Sequence, residues 1–230
     1  MNNETIGQTA EQCVCNLFNL NSNINELRIN KNLLISLQES IKSFLDNHNE
    51  IKIIKSIGYQ NTKVDFICEN NKTLSLKTLK RKEGKICPQG GQPTLKSFDK
   101  MYNLDFEGKL DKNKDRFEYI KTNLHSFMNN MLINTYCCDY LIIISNCIKK
   151  PYVELLKKPD LNYFKTQNLY FTKDNYIEKW NPKKNKTNEF STTLKTNING
   201  KPVSIGEFQF HKNSRQQVKF RFFKKFLEMI

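Results

Sequence analysis

The stretch Ile57-Gly58-Tyr59-Gln60-Asn61-Thr62-Lys63-Val64-Asp65-Phe66-Ile67-Cys68, continued by Thr73-Leu74-Ser75-Leu76-Lys77-Thr78, decides how this chain is read. In both segments apolar and polar residues alternate at period two, and the polar tetrad Glu69 to Lys72 separates them. That pattern predicts a β-hairpin. Asp65 falls in its first strand and Lys77 in its second. Side chains on a strand alternate between faces, so Ser75 and Lys77 share one face while Leu74, Leu76 and Thr78 take the other. An acid and a lysine on neighbouring strands, sharing a face, form a place to hold a metal ion and a water molecule.

Working outward, Ile51 to Ile54 is a β-rich run, and Gly58 allows a turn before the Asp65 strand, giving three consecutive short strands. Upstream, Thr5 to Asn19 places Ile6, Ala10, Cys13, Val14 and Leu17 on one helical face, with Glu11 at its border beside Phe18. Glu11 has two readings: a solvated residue at the edge of an apolar stripe, or a carboxylate reaching toward Asp65 and Lys77. Asn30 to Asn47 carries Leu33, Leu34, Leu37, Ile41, Phe44 and Leu45 at helical spacing and reads as a second packed helix.

Downstream, the basic lead-in Lys80-Arg81-Lys82 is followed by Ile86-Cys87-Pro88-Gln89-Gly90-Gly91-Gln92-Pro93-Thr94, which cannot be a regular element. Glutamine side chains and exposed amides are groups that read base edges and phosphates, so Gln89, Gln92 and Lys96 are candidate DNA contacts. Lys114 to Asn134 reads as one long helix with Phe117, Ile120, Leu124, Phe127, Met128 and Met131 on one face; His125 lies off that face and reads as surface. Asp139 to Ser145 is a continuous apolar strand, which places it mid-sheet and buried on both sides. Lys149 to Asn188 reads as irregular. Phe190 to Thr196 and Val203 to Phe210 form a hairpin around Asn199-Gly200, a turn pair that tolerates positive φ. Beyond it, His211, Asn213, Arg215, Lys219 and Arg221 make a basic run in which Phe220 and Phe222 face one way and Lys219, Arg221 and Phe223 the other. Such a run suits phosphate and base contacts, and equally an edge strand guarded by lysines.

The whole is expected to be a single domain, residues 1–230, of the α/β (α+β) class: a central mixed β-sheet flanked by helices, with a C-terminal β-hairpin. Its catalytic hairpin would span about 51–80 and its recognition elements about 81–97 and 190–225. The chain has 230 residues, 38% of them hydrophobic and 26% charged, enough to bury a core. No apolar run approaches the roughly 20 residues that cross a bilayer, and the polar N-terminus lacks a basic-then-apolar signal, so the expected location is the cytoplasm. Seven cysteines without a CxxC pair suggest reduced thiols, neither a disulfide framework nor a zinc site. The net charge of +14 points to a polyanion partner, nucleic acid above all, although an AT-rich coding bias toward Lys, Asn and Ile would raise it too.

Hydrolysis of a phosphodiester needs a divalent metal to polarise phosphate and activate water, and a cation to orient that water. Asp65 can supply a carboxylate, the Leu76 backbone carbonyl a further ligand and Lys77 the cation. In this arrangement the sequence resembles type II restriction endonucleases of the PD-(D/E)xK nuclease superfamily. Asp65 matches the first acid of the motif, Ser75 stands at the second acidic position and Lys77 matches the lysine; Glu11 is similar to the acid on the family's N-terminal helix. Val64 replaces the motif's proline, and Ser75 replaces its second acid, a poorer metal ligand than a carboxylate. The resemblance implies a restriction-endonuclease-like fold and Mg²⁺-dependent cleavage of double-stranded DNA at a short palindromic site. Asp65, Glu11 and Leu76 would act as ligands, and Asp65, Ser75, Lys77 and Glu11 would form the catalytic set. It further implies a homodimer and a methyltransferase encoded nearby. A structure-specific or repair nuclease of the same superfamily is one rival reading. A non-catalytic basic DNA-binding protein, with Asp65 and Lys77 a cross-strand ion pair, is another.

Overall fold

The structure, a computed structural model, describes residues 1–22, 24–58, 62–105, 112–177, 180–181, 186–187, 190–211 and 217–230. Its backbone groups into two compact units. Met1–Ile86 and Tyr136–Lys158 form the first; Cys87–Thr135 and Pro159–Ile230 form the second. No shift of composition marks any of the three crossings of the chain. The strands divide between two main sheets, where the sequence had suggested a single central sheet.

The first unit opens with α1 (Asn3–Leu17), whose amides are capped by Asn2: Thr5 N donates to its Oδ1 at 2.7 Å. The next helix, α2 (Lys31–Asp46), is capped in the same way by Asn30, which accepts from Leu33 N at 2.9 Å. Strands β1 (Ile53–Ser56), β2 (Phe66–Cys68), β3 (Thr73–Thr78), β5 (Tyr140–Ser145) and β6 (Tyr152–Leu156) lie side by side in that order. The hairpin of β2 and β3 pairs Phe66 with Leu74 and Ile67 with Thr73, turning over Glu69–Asn71. Strand β3 then runs parallel to β5, Leu76 opposite Ile142. All six residues of β5 are buried, as a strand flanked on both sides must be. Leu74, Leu76, Ile142 and Ile144 face α1 and α2 and share one core with Ile6, Ala10, Val14, Leu37 and Ile41. A two-residue strand, β4 (Lys85–Ile86), ends the first segment of this unit.

In the second unit the loop after Cys87 is ordered by its own backbone: Gly91 N donates to Pro88 O at 2.9 Å, and Gly91 O accepts from Phe220 N at 2.8 Å. Helix α3 (Leu95–Met101) follows, capped by Thr94. The expected single helix over 114–134 is two, α4 (Lys112–Thr122) and α5 (Leu124–Thr135). At the break the Thr122 hydroxyl donates to Glu118 O and the Asn123 side chain to Tyr119 O, so two consecutive side chains compete for helix carbonyls. His125, read as surface, is exposed, but its Nε2 lies 3.0 Å from Gln167 O. The stretch expected to be irregular holds β6 of the first unit and, in the second, β7 (Tyr170–Phe171) and the paired β8 (Trp180–Asn181) and β9 (Lys186–Thr187).

The C-terminal hairpin is longer than its sequence pattern: β10 (Phe190–Ile198) and β11 (Lys201–Phe210) turn at Asn199 and Gly200, both at positive φ (51° and 75°). β12 (Val218–Phe223) pairs with β11, and α6 (Lys224–Leu227) ends the fold. Gly206 of β11 has no room for a side chain, since a Cβ there would meet Arg221 O at 2.5 Å. Phe190, Phe208 and Phe210 turn inward onto α4 and α5, and the buried Phe220 and Phe222 pack beside them, Phe220 against Phe208 and Phe222 against Phe220. Among the described residues no helix is long and apolar enough to cross a membrane. None of the seven cysteines forms a disulfide; burial pushes the Cys13 thiol up to about 12 and those of Cys68 and Cys147 to about 11, which keeps these three inert.

Candidate active site

Asp65 does not lie inside β2; it is the bend residue immediately before it. It is nonetheless tied into the sheet on both sides. Its N–H donates to Leu74 O of β3, and its carbonyl accepts from Ile57 N beyond β1, both at 2.9 Å. Pairing of β2 with β3 stops at Leu74, so the next amide on that edge of β3, Leu76 N, has no ladder partner. It donates instead to Asp65 Oδ2 at 2.6 Å. The carboxylate is thereby fixed by backbone rather than by a flexible partner. Residues along a strand alternate the edge they serve, so the Leu76 carbonyl lies on the same edge as its N–H, toward Asp65.

Ser75 and Lys77 share the face opposite Leu74 and Leu76, as the alternation requires. Ser75 is buried, and its hydroxyl donates to Lys63 O at 3.4 Å and also hydrogen-bonds the Asp65 carboxylate. The Ser75 hydroxyl thus helps to hold the Asp65 carboxylate in place. Lys77 is half-buried and close enough to act electrostatically on both Asp65 and Glu11.

Glu11, on α1, is half-buried and turns toward the sheet rather than toward water. A Cβ placed on Gly58 would lie 3.3 Å from Glu11 Oε2 and 3.5 Å from Asp65 Oδ1, so both carboxylates face one small space in front of the Gly58 α-carbon. Burial, and then the charge of Asp65, raise Glu11 from its ordinary 4.5 to about 7 despite Lys77. Burial also raises Asp65, against the opposing pull of Lys77, the Leu76 amide and Ser75. Two half-buried carboxylates facing each other with one lysine leave a deficit of positive charge that a divalent cation would offset. Among the described residues no group of three His, Cys, Asp or Glu side chains converges. The donor set is thus two carboxylates, a backbone carbonyl and solvent, which fits Mg²⁺, an ion that keeps several of its waters.

The candidate DNA contacts lie apart from this site in the sequence, all in the second unit. Gln89 is half-buried with its backbone N–H on Asn134 O; Gln92 is exposed and donates to Cys87 Sγ at 3.0 Å; Lys96 is exposed on α3. Lys219 and Arg221 stand on the outer face of β12, with Phe220 and Phe222 inward. Arg221 Nη2 donates to Glu207 Oε2 at 2.9 Å and to Gln209 Oε1 at 3.3 Å, so this arginine enters any interface with a carboxylate already beside it. His211, read as standing open at the mouth of the strand, is 5% exposed because its backbone closes the β11–β12 pair through Gln217 O. Asn213 and Arg215 lie outside the described residues. Sequence reasoning took Gly58 only as a turn; its role as the gap between the carboxylates depends on α1 docking over it, which no local pattern encodes.

No protein-family profile matches the chain, and no solved structure matches it. A type II restriction enzyme, CviAII of Paramecium bursaria Chlorella virus 1, is 30% identical to it over 223 residues. The alignment takes in 96% of this chain and 58% of that protein, so the chain spans rather more than half the length of the curated relative it matches.

Proposed function

We propose that this protein is a type II restriction endonuclease that hydrolyses phosphodiester bonds of double-stranded DNA at a short, palindromic site, with Mg²⁺ as its cofactor. The observation that carries the reading is the convergence of the Glu11 and Asp65 carboxylates in front of Gly58, within electrostatic reach of Lys77. Similarity along almost the whole chain to a restriction enzyme supports the same reading, as does the excess of basic residues.

Asp65, Glu11 and the Leu76 carbonyl would hold the Mg²⁺. Once bound, the ion supplies polarisation of the phosphate and a more acidic water. The chain's own groups do the rest. Lys77 orients the attacking water and offsets the negative charge that grows on phosphorus. Ser75 and the Leu76 amide keep Asp65 from turning away, and Glu11 is placed to take a proton from that water. Attack breaks the bond from phosphorus to the leaving oxygen, which takes up a solvent proton. The outer face of β12 and the 89–96 segment would meet the duplex. A palindromic target cut on both strands favours a homodimer, whose two-fold axis matches that of the site.

The test is incubation of the purified protein with mixed plasmid and phage DNA in Mg²⁺, with EDTA and Lys77→Ala as controls, followed by sequencing of the ends. Discrete fragments sharing an end sequence are expected, lost in EDTA and reduced by two to three orders of magnitude in Lys77→Ala. Metal-dependent degradation without shared ends would replace the reading with a structure-specific or repair nuclease. Tight, salt-dependent binding without cleavage would reduce the protein to a DNA-binding one.

A further inference from the structure

Beside the carboxylate pair, within the first unit, lies a half-open cavity of about 390 Å³ lined by Gln8, Glu11, Asn25, Arg28, Ser56 and Gly58. It continues the candidate active site away from Asp65, and catalysis at the carboxylates uses only its Glu11 end. Its outline follows from α1: Glu4, Gln8 and Glu11 fall on one helical face, spanning roughly 10 Å along the axis. Arg28 closes the far end, its Nη1 donating to Glu4 Oε1 at 2.7 Å. Among the described residues nothing else holds the guanidinium, and its side chain is 58% exposed.

A second feature is the amide that stands in the lining. The Gln8 side-chain oxygen is buried and, among the described residues, has no hydrogen-bond partner. Leaving such a group unpaired is costly, and a buried amide normally has a partner. With Oε1 turned inward, Nε2 is the end of the amide left to line the cavity. One arginine, one unsatisfied amide and the Ser56 hydroxyl make a lining that suits a phosphate oxygen. Glu11, the only carboxylate of the lining, faces Asp65 at the opposite end.

We propose that this cavity is the seat of a phosphodiester flanking the one cleaved, with Arg28 as its cation and Gln8 as a neutral donor. The inference rests on the nuclease reading and extends it from the bond broken to the track of the strand that carries it. Arg28 is then a positioning residue, which sets the register of the cut strand over Asp65 without touching the reacting atoms. An axial rise of about 3.4 Å per base pair puts the far end of a 10 Å groove within a few nucleotides of the scissile bond.

The test is DNA binding by Arg28→Ala, Arg28→Lys and Gln8→Leu in the Asp65→Asn background, where the duplex stays whole, measured against salt concentration. One phosphate contact contributes a slope of about 0.9 in log K against log salt. Arg28→Ala should lower the slope by about one and the affinity roughly tenfold near 0.1 M salt. Arg28→Lys should restore the slope, because a point charge is enough for a phosphate, and Gln8→Leu should weaken binding with the slope intact. Replacing single phosphates of the cut strand by neutral methylphosphonates should locate the contact: one position next to the scissile bond should weaken the Arg28-containing protein and leave Arg28→Ala indifferent. An unchanged slope in Arg28→Ala with its thermal midpoint preserved would overturn the proposal. So would a midpoint raised by inorganic phosphate in the Arg28 protein alone with the DNA slope unaltered, which would assign the cavity to a free anion. Because the slope is read on any duplex the protein binds, this failure is separate from a failure to cleave.

Discussion

The two units bury charge in opposite ways. In the second, Arg116 is almost wholly enclosed, but its guanidinium is answered in full: Nε and Nη2 donate to the two oxygens of Asp99 at 2.6 and 2.5 Å, and Nη1 to Asn113 Oδ1 at 2.9 Å. In the first, Glu11 and Asp65 face each other across Gly58 and push each other's charge up in cost. The first arrangement ties α3 to α4 and asks nothing from outside. The second favours the protonated form of Glu11, against the pull of Lys77. Matched burial of charge reads as architecture, mismatched burial as chemistry. The cores repeat the contrast. The second unit fills its sheet with phenylalanine rings, Phe208 and Phe220 at 4.6 Å between centroids, whereas the first packs aliphatic residues beneath β3 and β5, leaving the other face of β3 to Ser75 and Lys77.

If the contrast holds, deleting one charge should act with opposite sign in the two units. Arg116→Ala leaves Asp99 without its partner and should destabilise the fold by about 3 kcal/mol, read as a shift of the urea midpoint. A loss under about 0.5 kcal/mol would break the comparison. Asp65→Asn should instead leave the metal-free protein as stable or more stable, while lowering the cleavage rate 10²- to 10³-fold, about 2.7–4 kcal/mol of transition-state stabilisation. Equal loss of stability in both variants would mean that Asp65 is structural.

The third expected effect is a pH dependence. Folding raises Glu11 from 4.5 to about 7, so between those values the folded chain keeps a proton that the unfolded chain has released. The stability this contributes is complete below about pH 4.5 and is lost as pH rises through 7. Melting metal-free protein from pH 4.5 to 8 should show this decline, of about 1–3 kcal/mol, and Glu11→Gln should flatten it. Mg²⁺ should restore stability at pH 8 in the wild type but much less in Glu11→Gln. A decline that persists in the variant would move its origin away from the carboxylate pair.

Much of the catalytic hairpin is legible in the sequence because period-two alternation is local: Leu74 and Leu76 need a core, so Ser75 and Lys77 must face away from it. Strand β5 is legible for a similar reason, since the five consecutive apolar residues Tyr140 to Ile144 suit a strand covered on both sides. Glu11 is less so. Its place at the border of an apolar stripe allows either a solvated or an inward carboxylate, and the docking of α1 across β3 decides between them. The break at Asn123 was masked by a heptad-like apolar pattern that runs straight through it. The burial of His211 depends on β12 returning beside β11, and the cavity of Gln8 and Arg28 on a loop reaching back to the first helix.

The sequence by itself determined the hairpin, the faces of β3 and the Asn199-Gly200 turn, each a matter of a few neighbouring residues. Tertiary structure alone decided that the strands divide between two sheets, that Ser75 supports Asp65, and that Glu11 and Asp65 meet over a glycine. Those outcomes join residues tens of positions apart, and the energy that fixes them lies in burial and in the field of distant charges, which no short window of sequence contains.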